Sequence, residues 1–484
     1  MEHSSDSEKQ PITGVIPAPP SPFMMSTHNS RQAFLWALFR ALDEHDVCYC
    51  MLNRWEGLPE DLSSDVDIAV QPSDRAKLSA VFGELRDQGF LPVQCLNFAV
   101  NAYYFVFYWF QDLSLESVAV AVMFEHRRGG LILTSGEKLV AGRIRRDSVW
   151  IPNAKTELHY LLAKTTLKEE IPPHQQARFK SLVEEIGASE AEQVAGELYG
   201  EKWKRRVVEA CLDGTLSRFL VDLSRPLRRK AVLHHPLSQI RNLFGDSVRL
   251  FRRWLEPTGI FLVVLGPDGV GKSTVLGQLV EKLGPAFRRH QAFHFRPQII
   301  KPQKETGIRV TNPHSDPVRG TFGSVAVLFG LFLDFWAGHL LVTRPLMARS
   351  GLVIFDRYFH DIMIDNIRYR YGGPLWLPRI LAHFIPPPDL LFLVLDADSS
   401  VILSRKQELS PEELKRMRSS YSELASQVLH SGLIKTDESI TESVGAAART
   451  VALYMAKRFE RQHHSWLARH EPAGQTKPNE AIQP

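Results

Sequence analysis

The stretch GIFLVVLGPDGVGKST, from Gly259 to Thr274, decides how this chain is read. Gly259 to Leu265 is an unbroken apolar run, the pattern of a strand buried on both faces of a parallel sheet. The residues after it satisfy G-x-x-x-x-G-K-[ST], with Gly266, Gly271, Lys272 and Ser273 at the defining places. Glycine at 266, 269 and 271 lets the backbone wrap closely around an anion, because no Cβ blocks it and φ can be positive. Successive amides and the start of a helix expected over Ser273–Leu283 would then face a polyphosphate. In this reading Lys272 reaches the β- and γ-phosphates of ATP, the Ser273 hydroxyl binds Mg²⁺, and Thr274 lies at the α-phosphate.

Downstream, Leu352 to Phe355 and Leu390 to Leu395 read as further short apolar strands, each after a helical pattern. That alternation predicts an α/β fold, a P-loop parallel sheet with flanking helices. Asp356 stands at the carboxyl end of one such strand, where a metal or metal-bound water is completed; Arg357 beside it is a candidate for the transferring or acceptor phosphate. After the next strand, Arg405 and then Lys406 are candidates for a mobile segment that closes over the phosphates. A last helix is expected from Thr441 to Arg461.

GPDGVGKST, DRY, PDLLFLVLDAD and SRK followed by RSSYSELA together resemble the thymidylate kinase family of nucleotide kinases, over about residues 258–460. The resemblance implies phosphoryl transfer. It implies that Asp268 helps hold the acceptor and its neighbouring arginine, and that Arg296, in HFRP, binds the acceptor phosphate. The family also carries an arginine on its middle helix, where this chain reads DFWAGH from Asp334 to His339; Arg368 and Arg370 are candidate substitutes. The acceptor is therefore read broadly, as a nucleoside monophosphate or a sugar or glycan precursor.

The N-terminal part has its own pattern. Helices are expected over Arg31–His45, Asp74–Gln88 and Thr156–Glu170, and strands over Val47–Leu52, Asp65–Val70, Ala99–Phe110 and Leu113–Phe124. Gly129 and Gly130 read as a turn. Asp65 and Asp67, two apart on a strand, project to one face and can hold Mg²⁺ around a triphosphate. The segment, with Ser63 and Ser64 in the preceding turn, resembles the nucleotidyltransferase fold. That resemblance implies a third acid, for which Glu116 is the first candidate and Glu125 the second.

The expected organisation is a disordered tail over 1–30, an α+β nucleotidyltransferase-like domain over 31–170, a basic helical spacer over 171–255, the P-loop domain over 256–465 and a flexible tail over 466–484. Four cysteines, Cys48, Cys50, Cys95 and Cys211, are too few and too irregular for a disulfide framework or zinc site, which suits a cytoplasmic protein. Net charge is only +4, yet Lys202 to Trp254 holds 13 Lys or Arg against 4 Asp or Glu. Such a segment is compatible with phosphates, an anionic membrane or an acidic partner; a solvated helical surface is the simpler reading. It offers no reading helix or stacking platform for nucleic acid. Gly320 to Val342 is long and apolar enough for a bilayer, but Asp334 and His339 interrupt it, so a buried core helix is expected. The expected partners are ATP and a small phosphorylated or hydroxylated acceptor, with a homodimer as an allowed assembly. The contrasting reading is an ATP-binding regulator with a degenerate N-terminal domain and no turnover.

Overall fold

Two five-stranded sheets organise the chain. The computed structural model describes residues 30–467 apart from 53–54, 56–64, 129–130, 147–148, 235, 300–316, 387–390, 407–408 and 429. The expectations for the N-terminal tail, for Ser63 and Ser64, for the Gly129–Gly130 turn and for most of the C-terminal tail lie outside the described residues.

The first sheet contains β1 (Tyr49–Met51), β2 (Val66–Val70), β3 (Leu91–Ala99), β4 (Ala102–Gln111) and β5 (Ser114–Met123), in the order β1-β2-β5-β4-β3. Strand β2 runs parallel to β5; the other neighbours are antiparallel. Strand β3 was not expected, because Pro92 and Gln94 break its apolar pattern; register shifts relative to β4 occur at Pro92/Gln94 and at Asn97/Ala99. Alternation on β4 sorts its side chains to two sides. Phe105, Phe107 and Trp109 enter a core with Phe34 and Leu38 of α1 (Ser30–Glu44) and Phe82 of α2 (Leu78–Asp87). Val106 and Tyr108 enter another core, shared with the second sheet.

The helix α3 (Ala154–Lys168) starts on an Asn153 cap that accepts from the Thr156 amide. It packs with the helices up to Leu227 in one core. The boundary expected at residue 170 thus runs through a packed layer. The long helix α4 (Pro236–Leu255) follows.

The second sheet is wholly parallel. Its strands are β6 (Ile260–Leu265), β7 (Arg289–His294), β8 (Gly351–Asp356), β9 (Leu391–Asp396) and β10 (Ser431–Lys435), in the order β7-β8-β6-β9-β10. The central strand β6 is buried throughout, as its unbroken apolar run requires. The two edge strands lack an apolar run: β7 is exposed at all but Phe293, and β10 buries only Ile434, which hides both from an apolar-run search. Around the sheet lie α5 (Lys272–Leu283), α6 (Thr321–Gly338), α7 (Trp376–Ala382), α8 (Ser399–Arg405), α9 (Pro411–Gln427) and α10 (Ile440–Gln462). This is a mixed α/β architecture with a P-loop between its central strand and α5.

Helix α6 corrects an expectation. It forms, but it is not a buried core helix: Ser324, Leu328, Asp334, Phe335 and Gly338 are buried, while most of its other residues are open. A helix apolar all round gives no periodic signal of which stripe meets the core.

The two halves are joined through more than chain connectivity. The Tyr108 hydroxyl donates to the Leu283 carbonyl at 3.3 Å, and the Ser350 hydroxyl donates to Gln94 Oε1 at 3.1 Å. Phe459 near the end of α10, then Trp466 and Leu467, complete the core of the first sheet. Trp466 packs edge-on against Phe105 at 5.0 Å, beneath the Arg75 guanidinium. The flexible tail expected from residue 466 therefore begins on a residue that is locked in place.

Candidate active site

Positive φ at Gly266, Gly269 and Gly271 (146°, 85° and 98°) bends the chain from β6 into α5. A Cβ at Gly266 would lie 2.6 Å from the Leu395 carbonyl oxygen, so the loop also needs that glycine for its approach to β9. The Thr436 hydroxyl donates to the Val270 carbonyl at 2.8 Å and fixes the loop from the end of β10. Ser273 and Thr274 begin α5 with open side chains.

Lys272 is buried and folds back on its own loop, donating to the Gly266 and Pro267 carbonyls at 2.8 Å each. Burial, then the neighbouring Arg357 charge, push its pKa down to about 8. The ammonium is thus held by neutral carbonyls that an anionic ligand can replace.

Asp268 gathers cations. Arg357 Nη2 donates to its Oδ1, and Arg368 Nη1 to its Oδ2 at 2.5 Å. Lys272 and Lys406 lie at 3.6 and 3.7 Å. Burial would raise the Asp268 carboxyl, but Arg357, Lys272 and Arg368 outweigh it and hold the group well below the usual range. Arg405 stands at the other side of the loop, donating to the Thr436 carbonyl at 3.1 Å.

Arg357 takes a left-handed backbone, φ 75°, with its amide donating to the Val264 carbonyl at 3.0 Å. Its buried guanidinium also donates to Asp361 at 2.6 Å, and Asp361 accepts from the Tyr369 hydroxyl at 2.7 Å and from Tyr421. Asp361, Tyr369 and Tyr421 were missed in the sequence: Arg357 lies outside any helix, so its spacing of four residues from Asp361 carries no local signal.

Asp356 ends β8 in register with Val264 and with His294. Its Oδ2 meets His294 Nδ1 at 3.2 Å, while its buried Oδ1 has no hydrogen-bond partner among the described residues. Burial raises the carboxyl, but the His294 contact and Lys272 more than offset it. An orphaned, buried carboxylate oxygen at a strand end suits a hard cation such as Mg²⁺.

Arg296 follows β7. It donates to the buried Asp334 of α6 at 3.4 Å, and the Gln298 amide donates to the same oxygen at 3.1 Å. So the middle helix that lacks the expected arginine supplies the carboxylate that holds one. Of the two candidate substitutes, Arg368 reaches Asp268, whereas Arg370 turns to the Pro317 carbonyl at 3.1 Å.

In the first sheet, Asp65 accepts from the Tyr104 hydroxyl at 2.8 Å, and Lys164 of α3 is 3.8 Å from Asp67. Asp67 pairs in register with Ala121, and Ala121 with Tyr104, which puts the two acids and the tyrosine on one face. Burial raises the Asp67 carboxyl, opposed by Lys164. Glu116 is not with them. It lies five residues back along β5 from Ala121, about 16 Å away and on the opposite face, across from Trp109 and 3.8 Å from Arg31. Its assignment as third metal ligand is overturned by this register. Glu125, the second candidate, is engaged by Arg127 at 2.6 Å and Asn101 at 3.3 Å.

No protein-family model matches the chain. The thymidylate kinase of Xanthomonas campestris pv. campestris (strain B100) is 28% identical over 142 residues, which cover 29% of this chain and 57% of that protein. The thymidylate kinase of Lactobacillus helveticus (strain DPC 4571) is 26% identical over 161 residues, 33% of this chain and 74% of that one. The similarity is to thymidylate kinases. This chain spans 57% of the length of the first of these relatives. Among solved structures, thymidylate kinase from Ehrlichia chaffeensis aligns over 40% of this chain and 98% of its own, with 17% identity and a TM-score of 0.28. That of Candida albicans aligns over 43% and 93%, with 18% identity and a TM-score of 0.30.

Proposed function

We propose that the P-loop half transfers the γ-phosphoryl group of ATP to a small acceptor, a nucleoside monophosphate or a sugar or glycan precursor. The carrying observation is the convergence of Arg357, Arg368, Lys272 and Lys406 on Asp268 inside the glycine-rich loop. Four cations around one carboxylate form a site ready to receive more negative charge. Lys272 exchanges its loop carbonyls for phosphate oxygens. Arg357, positioned by Asp361, stabilises charge on the transferring group, with Arg405 and Lys406 approaching from α8. Arg296 and Arg368 hold the acceptor. An acceptor oxygen attacks the γ-phosphorus as the bond to the leaving ADP oxygen breaks; a hydroxyl acceptor releases its proton to solvent. Asp356 and Ser273 are the residues that would hold Mg²⁺, which supplies charge neutralisation to the polyphosphate.

For the N-terminal half we propose a nucleotidyltransferase-like module that holds a substrate without completing transfer. Lys164 beside Asp67, together with Glu116 on the far face, supports that reading.

The test is ADP release by purified full-length protein against nucleoside monophosphates and sugar phosphates. One acceptor should stimulate it, Lys272→Ala should abolish it, and Asp65→Ala should leave it unchanged. ATP binding with no acceptor-dependent turnover would favour a nucleotide-gated regulator instead.

A further inference from the structure

Helix α4 is amphipathic in the opposite sense to a soluble surface helix. Its inner stripe is polar: Asn242 accepts from Arg127, Arg249 donates to the Asn97 carbonyl and to Asp246, and Arg253 donates to the Ala348 carbonyl. Its outer stripe is apolar. Leu243, Phe244, Leu250, Phe251, Trp254 and Leu255 follow helical spacing and are all exposed, Phe244 at 71%. A folded soluble protein gains nothing from that arrangement in water.

The stripe does not end with α4. Arg344 donates to the Trp254 carbonyl at 2.7 Å and to the Leu255 carbonyl at 2.5 Å, tying the end of α4 to the segment after α6. There Leu340 and Leu341 are exposed, in line with Leu333 and Trp336 of α6. Trp336 Nε1 donates to the Phe384 carbonyl at 2.9 Å, which links α6 to the exposed Trp376, Ile380 and Phe384 at α7. Three helices thus present apolar surface joined by hydrogen bonds.

Charge selects the occupant. The exposed charged residues on these three helices are Arg241, Arg252 and Arg379, all cationic, while Asp246 and Asp334 turn inward to arginines. A second copy docking symmetrically would set these arginines near one another. A bilayer with anionic headgroups accepts both the apolar stripes and the arginines. Helix α6 satisfies length and hydropathy for a span, but its inner stripe is committed to the core. Phe335 packs on Tyr358 at 4.8 Å, and Asp334 is bonded to Arg296. We propose that α4, α6 and α7 form a face that docks peripherally on an anionic membrane surface.

Flotation of full-length protein with vesicles of phosphatidylcholine and phosphatidylglycerol tests this, with phosphatidylcholine alone as the second arm. The protein should float with the anionic vesicles, and high salt should release it. Phe244→Ser and Phe251→Ser should each weaken partitioning about ten-fold or more, and Arg241→Gln and Arg252→Gln about five-fold each. The four variants should keep the wild-type circular dichroism spectrum. Tryptophan emission of the unaltered protein should shift to the blue on adding anionic vesicles, a readout that needs no variant. Absence of flotation and of the blue shift overturns the proposal, as does binding that resists high salt and carbonate, which would mark a spanning helix. A salt-stable dimer lost in Phe244→Ser, without vesicle binding, overturns it in favour of a self-association face.

Discussion

Lys272 should give nucleotide binding a pH dependence of its own. In the free protein its ammonium is kept from water, so the proton leaves as pH rises through about 8 rather than above 10. Below that pH the charge needed for the phosphates is present; above it, affinity for ATP should fall, and bound phosphate should draw the midpoint upward. Calorimetric titration with ATP from pH 7 to 9.5 reads this; a flat affinity would remove Lys272 from the phosphate site. Asp361 is the other residue with a sharp expectation. Asp361→Asn takes one of two carboxylates from a buried arginine and should cost about 3 kcal/mol of stability in denaturant unfolding. Turnover should drop with it, at little change in KM for ATP, since Asp361 acts by positioning Arg357. At this scale Asp356 and Arg357 were legible because a strand end fixes where the next residues go. Glu116 was not, because its distance from Asp67 depends on which strands pair and in what register, and no local pattern carries that.

Among the elements, the contact between α6 and the Arg296 loop is the one most open to test. A Cβ on Gly338 would run into the Pro297 ring, next to Arg296. Gly338→Ala should therefore displace that loop, raising KM for the acceptor about ten-fold while KM for ATP stays put. Equal effects on both substrates would detach Arg296 from the acceptor. Strand β6 with α5 could be read directly, since burial on both faces leaves an unbroken apolar run and the loop motif bounds it. Strands β3, β7 and β10 could not, because Pro92 interrupts the first and the open edges of the sheet leave the other two without an apolar run. Helix α6 was legible as a helix but not in its orientation, which depends on Phe335 finding Phe355 and Tyr358.

Across the whole molecule, the shared cores should make the two halves unfold as one cooperative unit. Trp466→Ala, at the far end of the chain from the sheet it covers, should destabilise the protein by about 3–5 kcal/mol. Both sheets should unfold in a single thermal transition that moves down together; two separable transitions would show that Tyr108, Gln94 and Trp466 couple them weakly. There is also a consequence for synthesis on the ribosome. Phe459, Trp466 and Leu467 are synthesised after the whole of the second sheet, yet they close the core that Phe34, Phe82 and Phe105 begin. The first sheet must wait, with an aromatic surface uncovered, until the second sheet and the helix after it have been translated. Holding chaperones, rather than stepwise domain-by-domain maturation, then become the natural guardians of the nascent chain.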